Sequence, residues 1–390
     1  MAESIEKLLY DLIEINSANP DYSSLAAGEK EIGTYICNYL ESNAIECELQ
    51  EVLPGRPNVL GVVRANSSLD NKKTRTRILL CSHLDTVYLE GMDFSPIIDE
   101  KHIYGPGSCD TKSSIAAMLE ALVKYSRYRE RTADIFFLGA ASEESKHLGI
   151  RKFVSNFMDT TGAIDLCIIG EPTSLDPGIA HKGSLKFTIK TEGKSAHGST
   201  PELGVNAINI MSKIICSINE KLVLSYSKSS DRMLGHPTLN IGVINGGTAF
   251  NIVPDFCRIE LDRRVLPSES VDNVLESFKS IISEASGSNA GLFAGIEKVN
   301  DYIPFLKTDI SNPLAEMFID SCTKINKKST AKGLPYATDG GFTYDAGIQT
   351  IVFGPGDISN CHRLEEFVSS DELKKAIEVL SDFLHRLSVV

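Results

Sequence analysis

The chain has 390 residues, 42% of them hydrophobic and 23% charged, with a net charge of −13 at pH 7. That length accommodates two domains with ordinary globular cores. The acidic balance, with no Lys/Arg cluster large enough to offset it, excludes nucleic acid and anionic membranes as expected partners.

The N-terminal stretch MAESIEKLLYDLIEI mixes charges into an apolar period of three to four residues, so it is expected to form an amphipathic helix rather than a signal peptide. No apolar run is long enough to span a bilayer, and the nine cysteines lie scattered singly, without a CxxC pair. Dispersed thiols suggest a reducing compartment and hence a cytosolic protein. On that reading the sequon at Asn66 carries no glycan, and the basic stretch NKKTRTR around Lys72 is a solvated loop.

Runs rich in Ile, Val, Leu and Phe follow in order: NVLGVV, RILLCSHL, DIFFLGAA, DLCIIG and, much later, IQTIVFG. Helical patterns such as SSIAAMLEALVKYSRY separate them. The alternation predicts an α/β domain with a mostly parallel buried sheet and helices on both faces. Ligands of such sheets bind at the carboxyl ends of the strands, and His83 stands where one strand gives way to loop.

Between about residues 182 and 296 the pattern changes to strand, helix, strand, strand, helix: SLKFTIKTEG, GVNAINIMSKIICSINEKL, TLNIGVINGG, CRIELDRRVLP and SVDNVLESFKSIISEA. This order predicts an α+β, ferredoxin-like module on an antiparallel sheet. The chain then returns to the first pattern, ending in the helix SSDELKKAIEVLSDFLHRL. The expected organisation is a discontinuous domain, 1–181 with 297–390, carrying an inserted module at 182–296. Hinges near 180 and 296 would allow it to close.

Residues with metal-ligand chemistry fall at strand ends or in glycine-bearing loops. They are His83 in SHLDTV, Asp110 in GPGSCDTK, Glu143 and Glu144 in ASEES, Glu171 in IIGEPTS and His362 in GPGDISNCHRLEEF. Each alone reads equally as a turn, cap or core residue. Together, imidazole and carboxylate without thiolate form the donor set of zinc, cobalt or manganese in a hydrolytic site, and the number suits two ions. Neighbours in an extended strand point to opposite faces, so Glu143 and Glu144 can serve one site only if the chain turns there.

These motifs, in this order and over essentially the whole chain, resemble the dinuclear metallopeptidase and amidohydrolase family M20. That family includes acetylornithine deacetylase, succinyl-diaminopimelate desuccinylase, carboxypeptidase G and the aminoacylases. The resemblance implies that Asp110 bridges two divalent ions, zinc foremost with cobalt or manganese as alternatives. His83 and Glu171 would complete one site, and Glu144 and His362 the other. It implies that Asp85 orients the His83 imidazole by accepting its free N–H, and that Glu143 is the general base.

The stretch HKGSLKFTIKTEGKSAHGSTPELGVNAI resembles the family's dimerisation domain. There, His197 would reach into the partner's active site and stabilise the oxyanion, making the protein an obligate homodimer. Asn251, and either Arg263 or its neighbour Arg264, match positions that hold the substrate's carboxylate. Two departures stand out: Ser113 follows Lys112 where the family pattern has glycine, and Pro106 replaces a basic residue. Within the family, CIIGEPTSLDPGIAHKG, GHPTLNIGVINGG and GPGDISNCHRLEEFV most resemble the acetylornithine deacetylase branch. The implied reaction is hydrolysis of N2-acetylornithine to ornithine and acetate, a step of arginine biosynthesis. Succinyl-diaminopimelate, other N-acyl amino acids and dipeptides are the alternatives. A ligand-binding protein without activity would be expected to have lost ligands or the base. An aminopeptidase of similar fold would be expected to lack the dimerisation match.

Overall fold

The computed structural model describes residues 5–66, 75–161, 163–287 and 292–388. Lys72 and the two residues after Asn66 lie outside them. Asn66 itself is engaged, its Oδ1 accepting the Arg131 N–H at 2.8 Å. The chain divides into two compact units.

The first unit runs to Ala180, then over Lys307–Gly333, and on from Thr338. Its sheet is ordered Glu46–Leu53, Arg56–Val63, Ala133–Ala140, Thr76–His83, Leu166–Gly170, Gln349–Val352, Gly178–His181 and Leu306–Lys307. The strands from Ala133–Ala140 to Gln349–Val352 pair in parallel. Antiparallel pairing flanks them on each side, which the apolar runs alone did not separate from parallel pairing. Alternate residues of the central strands, such as Ile78 and Leu80 against Leu79 and Cys81, are all buried. Both faces are therefore covered, as a parallel sheet requires.

On one face lie the N-terminal helix Ile5–Glu14, whose Leu8, Leu9, Leu12 and Ile13 repeat at helical spacing, and helices Lys112–Ser126, Pro313–Ile325 and Ser370–Ser388. Helices Leu148–Thr161 and Gly340–Asp345 pack together and against strands of the same sheet, among them Ala133–Ala140 and Gln349–Val352. Lys112–Ser126 is buried nearly all round, because it sits between the sheet and other helices.

A disulfide joins Cys37, on helix Lys30–Ser42, to Cys47 on the following strand. The cysteines are therefore not all isolated thiols, and the step from scattered thiols to a reducing compartment loses its premise. Among the described residues no helix is long and apolar enough to cross a membrane.

The second unit comprises His181–Leu306 with Leu334–Ala337. Four antiparallel strands are ordered Thr238–Gly246, Phe256–Val265, Gly183–Glu192 and Ala294–Ile303. Alternation is clean in Phe256–Val265: Cys257, Ile259 and Leu261 face inward onto helices Ala207–Ser217 and Val271–Ser286. The unit extends about ten residues past the expected boundary at 296. Ala294–Ile303 pairs along Gly183–Glu192, so the chain completes that sheet before it crosses back.

Candidate metal centre

The parallel register decides which side chains meet at the end of the first unit's sheet. His83 ends its strand and pairs with Ala140, while Ser82 pairs with Gly170. The segments leaving Ala140 and Gly170 carry Glu143, Glu144 and Glu171, which thus emerge beside His83. The Gln349–Val352 strand, parallel to Leu166–Gly170, leads into the loop that ends at His362. Asp110 stands in the loop before helix Lys112–Ser126, and its peptide bond to Thr111 is cis.

The donors form two groups that share Asp110: His83, Asp110 and Glu171, and Asp110, Glu144 and His362. Within each, the donor atoms lie within 4.8 Å of one another. His83 Nε2 is 3.0 Å from Asp110 Oδ1 and 3.9 Å from Glu171 Oε1. His362 Nε2 is 3.2 Å from both Asp110 Oδ2 and Glu144 Oε1. One carboxylate that turns an oxygen toward each histidine is placed as a bridging ligand must be.

Charge and burial test whether cations fit. Asp85, Asp110 and Glu171 are buried together, and their ion-pair partners are the histidines. Burial first, then the Asp110 charge, pushes the Glu171 carboxyl well above its ordinary range. Crowded carboxylates withdrawn from water need neutralising positive charge. Two divalent ions would supply it, and the imidazole and carboxylate donors suit them.

Residues 179–290 match the M20 peptidase dimerisation domain, and residues 58–174 match peptidase family M28. Over 383 residues, 96% of each chain, the sequence is 30% identical to an acetylornithine deacetylase of Aliivibrio fischeri. The chain belongs to the M20 metallopeptidase family. The M28 match covers only residues 58–174, whereas the dimerisation module and the full-length relative both indicate M20. An M20-family metallo-carboxypeptidase from Sulfolobus solfataricus shares the fold over 100% of both chains, with a TM-score of 0.78 at 20% identity. An aminopeptidase from Bacillus cereus shares it over 98% of each, with a TM-score of 0.76 at 21% identity. The second similarity overturns one expectation: a chain named as an aminopeptidase carries the whole architecture, so the inserted module does not set the activities apart.

In this M20 chain Asp85 does not act as expected. The His83 Nδ1 hydrogen bond, 2.8 Å long, goes to the backbone carbonyl of Asp85, whose carboxylate lies 3.9 Å away. That carboxylate instead accepts the N–H groups of Glu143 at 2.9 Å and Glu144 at 3.1 Å, and the Asn19 amide at 2.7 Å. Its job is to fix the turn that presents both glutamates. The turn is completed at Ser142, whose backbone is left-handed (φ 65) and whose N–H donates to Glu29 Oε1 at 2.9 Å.

Glu29 is fully buried and is gripped by Arg56 through two hydrogen bonds of 2.7 and 2.6 Å. Arg56→Met is expected to cost about 3–5 kcal/mol, because it strands a buried carboxylate. The first unit's thermal midpoint should fall by roughly 10 °C and recover in part when Glu29→Gln is added. A midpoint within about 2 °C of wild type would refute this.

Three further residues of the site were not legible as such. Glu366, the second acid of the closing LEEF, accepts the N–H groups of Gly107, Cys109 and Asp110 at 2.8–3.1 Å and so holds the loop that carries Asp110. Burial pushes its carboxyl up to about 7. The other two are His147 and Asp339, both buried, which form a third group with the half-buried Glu143. Spacing gave a faint signal for His147, four residues beyond Glu143 in ASEESKH. Both departures from the family pattern are buried. Ser113 is buried at the start of its helix, with no hydrogen-bond partner for its hydroxyl, and Pro106 is buried in its turn.

The remaining predicted residues belong to the second unit. His197 is exposed, its Nδ1 2.6 Å from Ser199 Oγ. Its loop pairs with that of Asn251, whose carbonyl accepts the Gly198 N–H at 2.7 Å. Arg263, expected to hold a carboxylate, is buried with its fork committed. Nε donates to Tyr226 Oη at 2.9 Å, Nη2 to Glu269 at 2.5 Å, and Nη1 to the Arg264 carbonyl. Arg263 therefore serves the module's core. Arg264, half-exposed and paired with Asp262 at 2.8 Å, is the more accessible fork.

Proposed function

We propose that this M20 hydrolase uses two divalent ions, zinc in the first instance, to remove the acyl group from an N-acylated amino acid, with N2-acetylornithine as substrate. The observation that carries the reading is the pairing of two donor groups through Asp110 with a further carboxylate, Glu143, that belongs to neither. When bound, the ions would acidify a water and polarise the amide carbonyl. Glu143 takes the proton of the attacking water and returns it to the leaving amine. Burial pushes its carboxyl up to about 8 against the pull of His147 and His83, which makes it a strong base that can still give the proton back.

Deacetylation of acetylornithine rests on the name of the full-length relatives at about 30% identity. On this reading the reaction is a cytoplasmic step of arginine synthesis. The protein acts as a homodimer, in which His197 serves the partner's oxyanion while Asn251 and Arg264 hold the substrate's carboxylate. Support for the dimer comes from the match to the dimerisation domain and from the edge strand Thr238–Gly246, which leaves Val243 and Ile244 exposed.

The test is a steady-state assay of metal-loaded protein against N2-acetylornithine, N-succinyl-diaminopimelate, acetylmethionine and a dipeptide. A kcat/KM at least tenfold higher for acetylornithine is expected. Preference for another of the four would move the specificity, and turnover of none would refute the substrate class.

A further inference from the structure

We propose that His147 is the positioning residue for Glu143 and that Asp339 locks its imidazole in place. The inference rests on the reading of Glu143 as the base. His147 Nδ1 lies 2.9 Å from Asp339 Oδ1, and the same atom is 3.5 Å from Glu143 Oε1. The first distance is a hydrogen bond. The second is an electrostatic contact, with the positive edge of the ring facing the carboxylate.

Backbone and ring contacts of His147 fix that edge. Its backbone is left-handed (φ 55), and its N–H donates to the Ser142 carbonyl at 2.6 Å, closing the turn that carries Glu143. Its ring lies against Phe342, with centroids 5.3 Å apart. Asp339, which immediately precedes helix Gly340–Asp345, is itself buried. The base is therefore held at two points, its backbone by Asp85 and its carboxylate by His147.

A glutamate with three side-chain torsions would otherwise sample several rotamers, and reaction rates fall steeply when a base is misplaced by about 1 Å. The three groups could also be read as a third cation position, since their donor atoms lie within 4.8 Å. The hydrogen bond between His147 and Asp339 already accounts for their burial, and an ion there would occupy the base.

The experiment compares metal-loaded wild type with His147→Ala, His147→Asn, Asp339→Asn and Glu143→Ala, measuring kcat, KM and bound metal on the best substrate. His147→Ala is expected to lower kcat about 10- to 100-fold, with KM within about twofold and bound metal unchanged. His147→Asn, whose amide N–H falls near the place of Nδ1–H, should recover most of the loss. Asp339→Asn should lower kcat in the same sense, and His147→Ala should cost nothing further in the Glu143→Ala background.

Wild-type kcat in His147→Ala, while Glu143→Ala is inactive, would overturn the positioning role alone. Full turnover in Glu143→Ala would overturn the reading of the base and this inference with it. A third equivalent of bound metal, lost in His147→Ala, would overturn it in favour of an ion.

Discussion

Glu143→Ala is expected to lower kcat by about 100- to 10,000-fold while the protein keeps both of its ions, the range for removing a positioned general base. Glu143 lies outside the two donor groups that share Asp110, so its loss takes away no ligand. The pH profile supplies the sign. A base must be deprotonated to act, and burial holds this carboxyl up, at about 8 before any bound cation pulls it down. Turnover by metal-loaded wild type should therefore rise as pH rises through a pKa below that value, and the rise should be absent from the residual activity of the variant. Full activity in Glu143→Ala, or loss of metal in proportion to activity, would remove Glu143 from the mechanism.

Asp110→Asn is expected to abolish turnover by releasing both ions, where His83→Ala or His362→Ala should weaken one site more than the other. The asymmetry follows from geometry, since Asp110 offers one oxygen to the His83 group and the other to the His362 group. An amide offers one oxygen and no charge, so at most one group keeps a donor at this position, and that donor no longer neutralises a cation. Metal analysis after dialysis should give about two ions per wild-type chain and fewer than one per Asp110→Asn chain. A ligand that binds only the folded state stabilises it, so chelation should lower the wild-type thermal midpoint and leave that of the variant almost unmoved. Retention of two ions by Asp110→Asn would show that the bridge lies elsewhere.

Several features of this site were legible because the chemistry sits at predictable places in a parallel sheet. His83, Glu144 and Glu171 lie at or just beyond the carboxyl ends of three neighbouring strands, and those strands announce themselves as buried apolar runs. The turn that Glu143 and Glu144 require is present at Ser142, on a left-handed backbone. The direction of each hydrogen bond was not legible. Asp85 is two residues from His83, yet its carboxylate serves Glu143 and Glu144 about sixty positions away. Arg263 reads as a free fork until Tyr226 and Glu269 are found around it.

The sequence by itself determined the family, the change of pattern that marks the inserted unit and the residue types gathered at the candidate site, because hydrophobic period and motif order are local properties of the chain. Tertiary structure alone decided the antiparallel flanks, the extension of the inserted unit to Leu306 and the Cys37–Cys47 disulfide. It also decided that His147 meets Asp339 across 192 positions. These are pairings between segments, and which segments meet is set by packing the whole sheet at once. No local period or spacing records that.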